Sequence, residues 1–307
     1  METSAQSAAL GGARFLVARQ SEEGFWADWR LPPGESLAWT TAYAGYRLYS
    51  LGGDAGAMVH PAMDRAARWL RDEEFPDGGW GYNRAVAPDA DSTALAILFL
   101  ASTTVGVPER SYRRLLAFQR EDGGFATFSP GAGLGAWTVS HPDVTATAVA
   151  ALLTAYPRGE CPVERGIAYS RRAEENGLWH SYWWNSCLYG TEANLALMRC
   201  AGEPADFGAS RTALGSVRPT NCFERALLLL SLVHAGWPPL EPEIQDIAAG
   251  LAAAQQPDGS WPSEPILRLT DRDCADPWER PEAGPLFADP NRLFTTATVV
   301  AALAAAG

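Results

Sequence analysis

Apolar positions along the chain fall into two alternating kinds of segment. In residues 60–73, 109–120, 163–174 and 241–255, Ala, Leu or Ile recur at helical spacing with Arg and Glu on the opposite side, the pattern of a helix with one wet face. Residues 36–51, 91–102, 144–155, 186–200, 223–235 and 293–306 are apolar nearly all round. A helix without a polar face belongs inside. Short turns joining Gly to an aromatic residue punctuate the alternation: Gly24-Phe25-Trp26, Gly78-Gly79-Trp80, Gly123-Gly124-Phe125, Gly177-Leu178-Trp179 and Gly259-Ser260-Trp261. Recurrence at this period marks a repeat architecture. The pattern predicts an all-α (α/α)6 barrel, a toroid of six inner and six outer helices. No linker rich in Ser, Pro or charge divides it, so residues 1–307 read as a single domain. The fifth unit is irregular, with a weak outer segment at about 203–214 and no Gly-aromatic turn after it. Because each inner segment follows its turn in the same sense, all six N-termini are expected at one end, gathering Glu35, Asp89, Asp91, Asp143, Asn221 and Asn291 on one rim.

A net charge of −12 argues against a nucleic-acid partner or an anionic membrane surface, since both require clustered cations. All 24 basic residues are Arg, which excludes Schiff-base and P-loop chemistry. The five cysteines are scattered without CxxC spacing, so neither a disulfide framework nor a zinc knuckle is expected. His60, His141, His180 and His234 are isolated and read as surface or capping residues. With no signal-peptide pattern and no apolar run long enough to span a bilayer, the chain reads as a cytoplasmic protein that is not integral to a membrane.

The second inner segment opens with Pro88-Asp89-Ala90-Asp91-Ser92-Thr93-Ala94. An Asp at a helix start is commonly an N-cap, and Asp89 and Asp143 both fit that role. A second carboxylate, Asp91, in an otherwise apolar opening is costly unless it has a task. Protonating a C=C bond needs a carboxylic acid still protonated near neutral pH, and burial beside a like charge raises a carboxyl in that direction. A carbocation formed this way is held by aromatic faces. The 12 tryptophans are an excess that an aromatic-lined cavity explains.

These residues resemble the squalene-hopene cyclase and class II terpene cyclase superfamily. The Gly-aromatic turns are similar to its QW motifs, and the Asp89–Ala94 stretch to its DxDDTA acid motif. The resemblance implies a proton-initiated cyclase of an isoprenoid or prenylated small molecule. It makes Asp91 the general acid, with Asp89 and Ser92 at the first and last aspartates of the motif. Trp39, Trp183, Tyr189 and Phe294 become cavity aromatics, and Asp143 and Thr147 correspond to the ends of a DVTAH segment, with Thr147 where the histidine stands. It implies no metal and no cofactor, Mg2+ entering only with a diphosphate substrate, for which Arg30, Arg84, Arg280 and Arg292 are candidate partners. The zinc site of the related prenyltransferase barrels has no matching ligand set here. Family cyclases usually wall the active site with a second barrel, so a homodimer or a separate second-barrel chain is a candidate partner. Ser92 and Thr147 keep a second reading open, a non-catalytic isoprenoid-binding or interaction module.

Overall fold

A computed structural model describes residues 4–203 and 207–307, in which helices alternate between an outer and an inner ring. In chain order, outer then inner, the first three pairs are α1 (Ser4–Ala18) and α2 (Ala38–Leu48), α3 (Gly53–Asp72) and α4 (Ala90–Ala101), α5 (Glu109–Leu116) and α6 (Pro142–Leu152). The rest are α7 (Cys161–Arg172) and α8 (Cys187–Cys200), α9 (Gly208–Leu214) and α10 (Cys222–His234), α11 (Pro242–Ala253) and α12 (Leu293–Ala305). Each inner helix packs on the next in chain order, and α12 returns to α2. The ring is closed, an (α/α)6 barrel.

The inner helices lie within a few residues of their apolar segments, while the outer ring departs more. Helix α1, absent from the amphipathic set, is the sixth outer helix: its buried face is Ala5, Ala8, Ala9, Gly12, Ala13, Phe15 and Leu16. Small residues give little contrast between faces, and Gly12 lies so close to Val300 and Trp261 that a Cβ would clash with both. Helix α3 starts at Gly53 rather than 60, because Pro61 sits inside the helix and does not begin it. Helix α9 is one short element, and residues 204–206 of its expected segment lie outside the described residues.

Each Gly-aromatic turn locks three helices together. The indole N–H groups of Trp26, Trp80, Trp179 and Trp261 donate to Leu16 O, Leu70 O, Ser170 O and Leu251 O at 2.6–2.8 Å, satisfying carbonyls at the ends of outer helices. The backbone N–H groups of Trp26, Trp80, Phe125, Trp179 and Trp261 donate to the hydroxyls of Thr41, Thr93, Thr145, Thr191 and Thr296, one on each following inner helix. At Gly78, φ is +91° and a Cβ would sit 2.7 Å from Arg110 O on the next outer helix, so only glycine fits.

Two short antiparallel hairpins that the apolar pattern does not predict, β1 (Asp28–Leu31) with β2 (Gly34–Ser36) and β3 (Leu267–Arg268) with β4 (Leu286–Phe287), lie in the connections that enter α2 and α12. The inner helices open at a common end: Trp39 of α2 reaches Asp91 of α4 and Phe294 of α12, and Phe223 of α10 lies between Phe294 and Tyr189 of α8.

Below that end the lumen is filled. Trp184 stacks on Tyr189, Phe223 and Phe294 with centroids 4.2, 5.2 and 5.2 Å apart, and Tyr43 stacks on Phe294 at 3.5 Å. Deeper still, Arg47 of α2 makes a bidentate ion pair with Glu192 of α8 at 2.9 and 3.0 Å. Helices α2 and α8 face each other across the ring, so this buried pair bridges the lumen, with His234 at the C-terminal end of α10 3.5 Å from Glu192.

Candidate active site

Asp89 is the N-cap of α4. Its backbone is extended, Oδ1 accepts the Ser92 N–H at 2.7 Å, and Oδ2 accepts the Ser92 hydroxyl at 2.8 Å. Both oxygens are engaged, and the Ser92 hydroxyl is committed to Asp89. Asp91, two residues further and so on another side of the helix, has a different environment. Its Oδ2 accepts the Trp39 Nε1–H at 2.8 Å, and the carboxyl opens into a cavity of about 540 Å³.

Burial pushes the Asp91 carboxyl up to about 8, the charges of Asp89 and Asp143 add to the rise, and the Trp39 hydrogen bond opposes it. Burial also raises Asp89 and Asp143, each to about 6, against the hydrogen bonds they accept. At neutral pH the two flanking carboxylates are ionised and hold the proton on Asp91. Three carboxyls in one cluster thus split into one acid and two anions, an assignment set by environment.

The chain's own connections roof the cavity. Leu31, Pro32 and Pro33 of the first hairpin, Phe128 and Trp137 of the connection into α6, Trp183, and Leu267 to Leu269 with Arg272 form its walls together with Trp39 and Tyr82. Trp183 Nε1–H donates to Thr127 Oγ1 at 2.9 Å, and Trp137 Nε1–H to Thr270 O at 2.8 Å, so each indole presents a fixed face. A mostly apolar cavity with one convergent acid is of the size that holds a small organic ligand.

Of the residues singled out from sequence, Asp91, Asp89, Ser92, Trp39 and Trp183 line this cavity, whereas Asp143, Thr147, Tyr189 and Phe294 do not. The reason for the last two is Trp184. The bridge between Trp184 and Leu267 holds this stretch extended, so adjacent side chains point to opposite faces. Trp183 meets the cavity, while Trp184 turns inward and covers Tyr189 and Phe294. Asp143 is neither cap nor wall: His141 occupies the N-cap position of α6, and Asp143 Oδ2 accepts the Tyr182 N–H at 2.9 Å while Oδ1 is buried without a partner. The Thr147 hydroxyl donates to Asp143 O at 3.1 Å. His141, read as a surface or capping residue, is buried, stacks on Tyr182 at 3.5 Å and makes no capping bond; burial lowers its imidazole to about 3, so it is neutral.

The tryptophans also divide by role. Only Trp39, Trp137 and Trp183 line the cavity, four others staple turns, and Trp29 and Trp184 fill the lumen. The arginines expected at the mouth are engaged elsewhere, Arg30 with Glu35, Arg84 with Glu73, Arg280 with Glu282 and Arg292 with Asp258. The cavity arginines are instead Arg268 and Arg272, from a Pro-rich loop whose role no local pattern betrays.

Among the described residues no three His, Cys, Asp or Glu side chains converge as a metal site, and no helix is long and apolar enough to cross a membrane. Chelation is expected to leave the melting temperature unchanged, with no stoichiometric zinc by elemental analysis.

The chain matches no protein-family model. It is 29% identical over 206 residues to the squalene-hopene cyclase of Schizosaccharomyces japonicus, covering 54% of this chain and 31% of that one. To the drimenyl diphosphate synthase of Streptantibioticus cattleyicolor it is 29% identical over 205 residues, 64% of this chain and 35% of that one. It thus spans about a third of these curated relatives. The solved type II terpene cyclase MstE from Scytonema matches nearly end to end, with TM-score 0.83 and 26% identity over 98% of this chain and 97% of that one. A variant of that cyclase has been solved in complex with geranylgeranyl dihydroxybenzoate as substrate, with TM-score 0.84 and 26% identity over 99% of this chain and 97% of that one.

Proposed function

We propose that this chain, by sequence and fold a squalene cyclase-like member of the class II terpene cyclase superfamily, is an enzyme that cyclises a prenylated small molecule by protonating an alkene or epoxide at one end of its chain. The observation that carries this reading is the Asp91 carboxyl, bonded to Trp39 and open to an aromatic-lined cavity, where burial and the nearby carboxylates favour its protonated form. Because Oδ2 accepts the Trp39 N–H, Oδ1 bears the transferable proton. Transfer to the substrate leaves a carboxylate, and the Trp39 bond, now charge-assisted, strengthens as the proton departs. The resulting tertiary cation forms beside the aromatic rings of Trp39 and Tyr82, which line the cavity next to Asp91, each contributing about 0.5 to 2 kcal/mol when desolvated. Attack by the next double bond closes the ring, and loss of a proton ends the sequence. In this reading the barrel is the catalytic unit, with its cavity roofed by the chain's own connections.

Incubation with geranylgeranyl dihydroxybenzoate in D2O is the test. The expected product has the substrate's composition with one non-exchangeable deuterium, because the Asp91 proton exchanges with solvent before transfer. Tight binding of prenylated acids, phenols and squalene with none of them converted would instead leave the barrel an isoprenoid-binding module.

Trp39→Phe keeps an aromatic face but removes the hydrogen bond. That bond favours the ionised carboxyl, so its loss raises the Asp91 carboxyl further and makes it a weaker, less well aimed acid. The expected outcome is a kcat roughly 10- to 100-fold lower, the scale of a lost charge-assisted hydrogen bond, with the alkaline limb of the pH–rate profile moved upward. An unshifted limb would assign Trp39 to packing alone.

A further inference from the structure

The cavity contains a positive charge for which the initiation chemistry has no use. Arg268 is only 4% exposed. Its Nη2 donates to Asn185 Oδ1 at 2.7 Å, Nη1 donates to Pro281 O, and its buried Nε–H has no acceptor. Among the described residues no carboxylate forms an ion pair with Arg268 or with Arg272. Arg272, on the same wall, holds its guanidinium 4.9 Å over the ring of Trp137. A guanidinium taken out of water and met only by neutral oxygens is poorly compensated, and a cavity that keeps one is matched to an incoming anion. The two cations are held on another part of the wall from the acid, Arg268 by Asn185 and Pro281 and Arg272 over Trp137, whereas Asp91 is bonded to Trp39.

We propose that Arg268 and Arg272 form a subsite for the carboxylate of a prenylated aromatic acid, which binds with its head group there and its prenyl chain directed toward Asp91. The placing of the chain rests on the cyclase reading above; the anion subsite itself does not. Guanidinium groups recognise carboxylates by paired N–H donors, and the free Nε–H of Arg268 supplies one such donor. Trp137 and Trp183, whose rings meet edge to face 5.1 Å apart beside these arginines, offer flanking surfaces for the ring of the acid. A diphosphate fits less well. It brings more negative charge than two arginines balance and normally a divalent cation, and the described residues hold no carboxylate cluster to share that cation.

The experiment is calorimetric titration in an Asp91→Asn background with product analysis after each titration, so that failure of Asp91 as the acid is detected separately from the affinities. The probes are 3-geranylgeranyl-4-hydroxybenzoate, its methyl ester and geranylgeranyl diphosphate. The acid is expected to bind at least about ten-fold more tightly than the ester, a difference of about 1.4 kcal/mol, and more tightly than the diphosphate. Arg268→Gln and Arg272→Gln should each reduce the acid-to-ester ratio several-fold, and Arg268→Lys should retain part of it. Arg272 is exposed, so Arg272→Gln carries the test if Arg268→Gln does not fold. Equal affinity for acid and ester, a ratio unchanged in folded Gln variants, or tighter binding of the diphosphate would overturn the proposal.

Discussion

Asp91→Asn is expected to lower kcat by roughly 10²- to 10⁴-fold or more while leaving substrate affinity within a few-fold of the parent, because the amide keeps the carboxyl's shape but cannot release a proton. The Asn carbonyl oxygen takes over the Trp39 hydrogen bond, and its NH2 faces the cavity where the transferable proton was. Asp89→Asn should be milder. Asp89 caps α4 through Ser92, and its charge helps to hold the proton on Asp91. Its loss lowers the Asp91 carboxyl toward neutrality, while Asn caps a helix about as well as Asp and can keep the bond from the Ser92 N–H. Single-turnover assays beside equilibrium binding separate the two variants, and undiminished cyclisation by Asp91→Asn would falsify the proton-transfer mechanism.

The same substitution should alter stability in a pH-dependent way. A carboxyl raised in the folded state binds its proton more tightly there than in the unfolded chain, so its contribution is fully present below the unfolded value near 3.8 and is lost as pH rises through about 8. Asp89 and Asp143 act in the same sense with folded values near 6. The parent should therefore lose stability between pH 4 and 9. Asp91→Asn, which cannot ionise, should lose less, gaining on the parent by up to a few kcal/mol at the alkaline end, on the order set by a shift of several pKa units. Urea unfolding at pH 5 and pH 8.5 measures the crossing. Activity should fall above about 8 as Asp91 ionises.

Glu192→Ala is expected to destabilise the barrel by about 3–5 kcal/mol, the usual cost of stranding one partner of a buried ion pair. It leaves the Arg47 guanidinium across the lumen from a void, with Nε already lacking an acceptor. Burial by itself would raise the Glu192 carboxyl, but Arg47 and His234 outweigh it and hold it well below the usual range. A depressed carboxyl contributes stability that is present above the unfolded value near 4.5 and is lost as pH falls, opposite in sign to the effect of Asp91. The double variant Arg47→Met/Glu192→Leu should recover most of the loss, since apolar residues of similar volume often replace a buried pair without penalty. Denaturant midpoints for the single and double variants give the cycle; a single-variant loss under 1 kcal/mol would mean that water reaches the pair.

Local composition was enough for the ring of helices and for singling out Asp91 as the candidate acid. Segments apolar on every side have one place to go, and five Gly-aromatic turns at a regular period dictate closure, because the positive φ of the glycine and the anchoring of the aromatic ring are demands of the turn itself. Asp91 stood out because an unexplained carboxylate in an apolar helix opening is costly wherever the helix goes. Arg47 and Glu192, lone charges in inner helices, carried a similar signal, but not the signal that they meet, since they lie 145 residues apart and on opposite walls. The same limit applies to the cavity lining. Trp183 and Trp184 are adjacent and chemically identical, and only the extended pairing with Leu267 sends one to the cavity and the other to the lumen, burying Tyr189 and Phe294 beneath it. Arg268 and Arg272 come from a connection without periodic pattern, whereas Arg30, Arg84, Arg280 and Arg292 were drawn off by nearby carboxylates. Burial and periodicity are properties of a segment and can be read along it; which side chains converge in space depends on loops folded back over the barrel mouth, and those contacts exist only once the chain has closed.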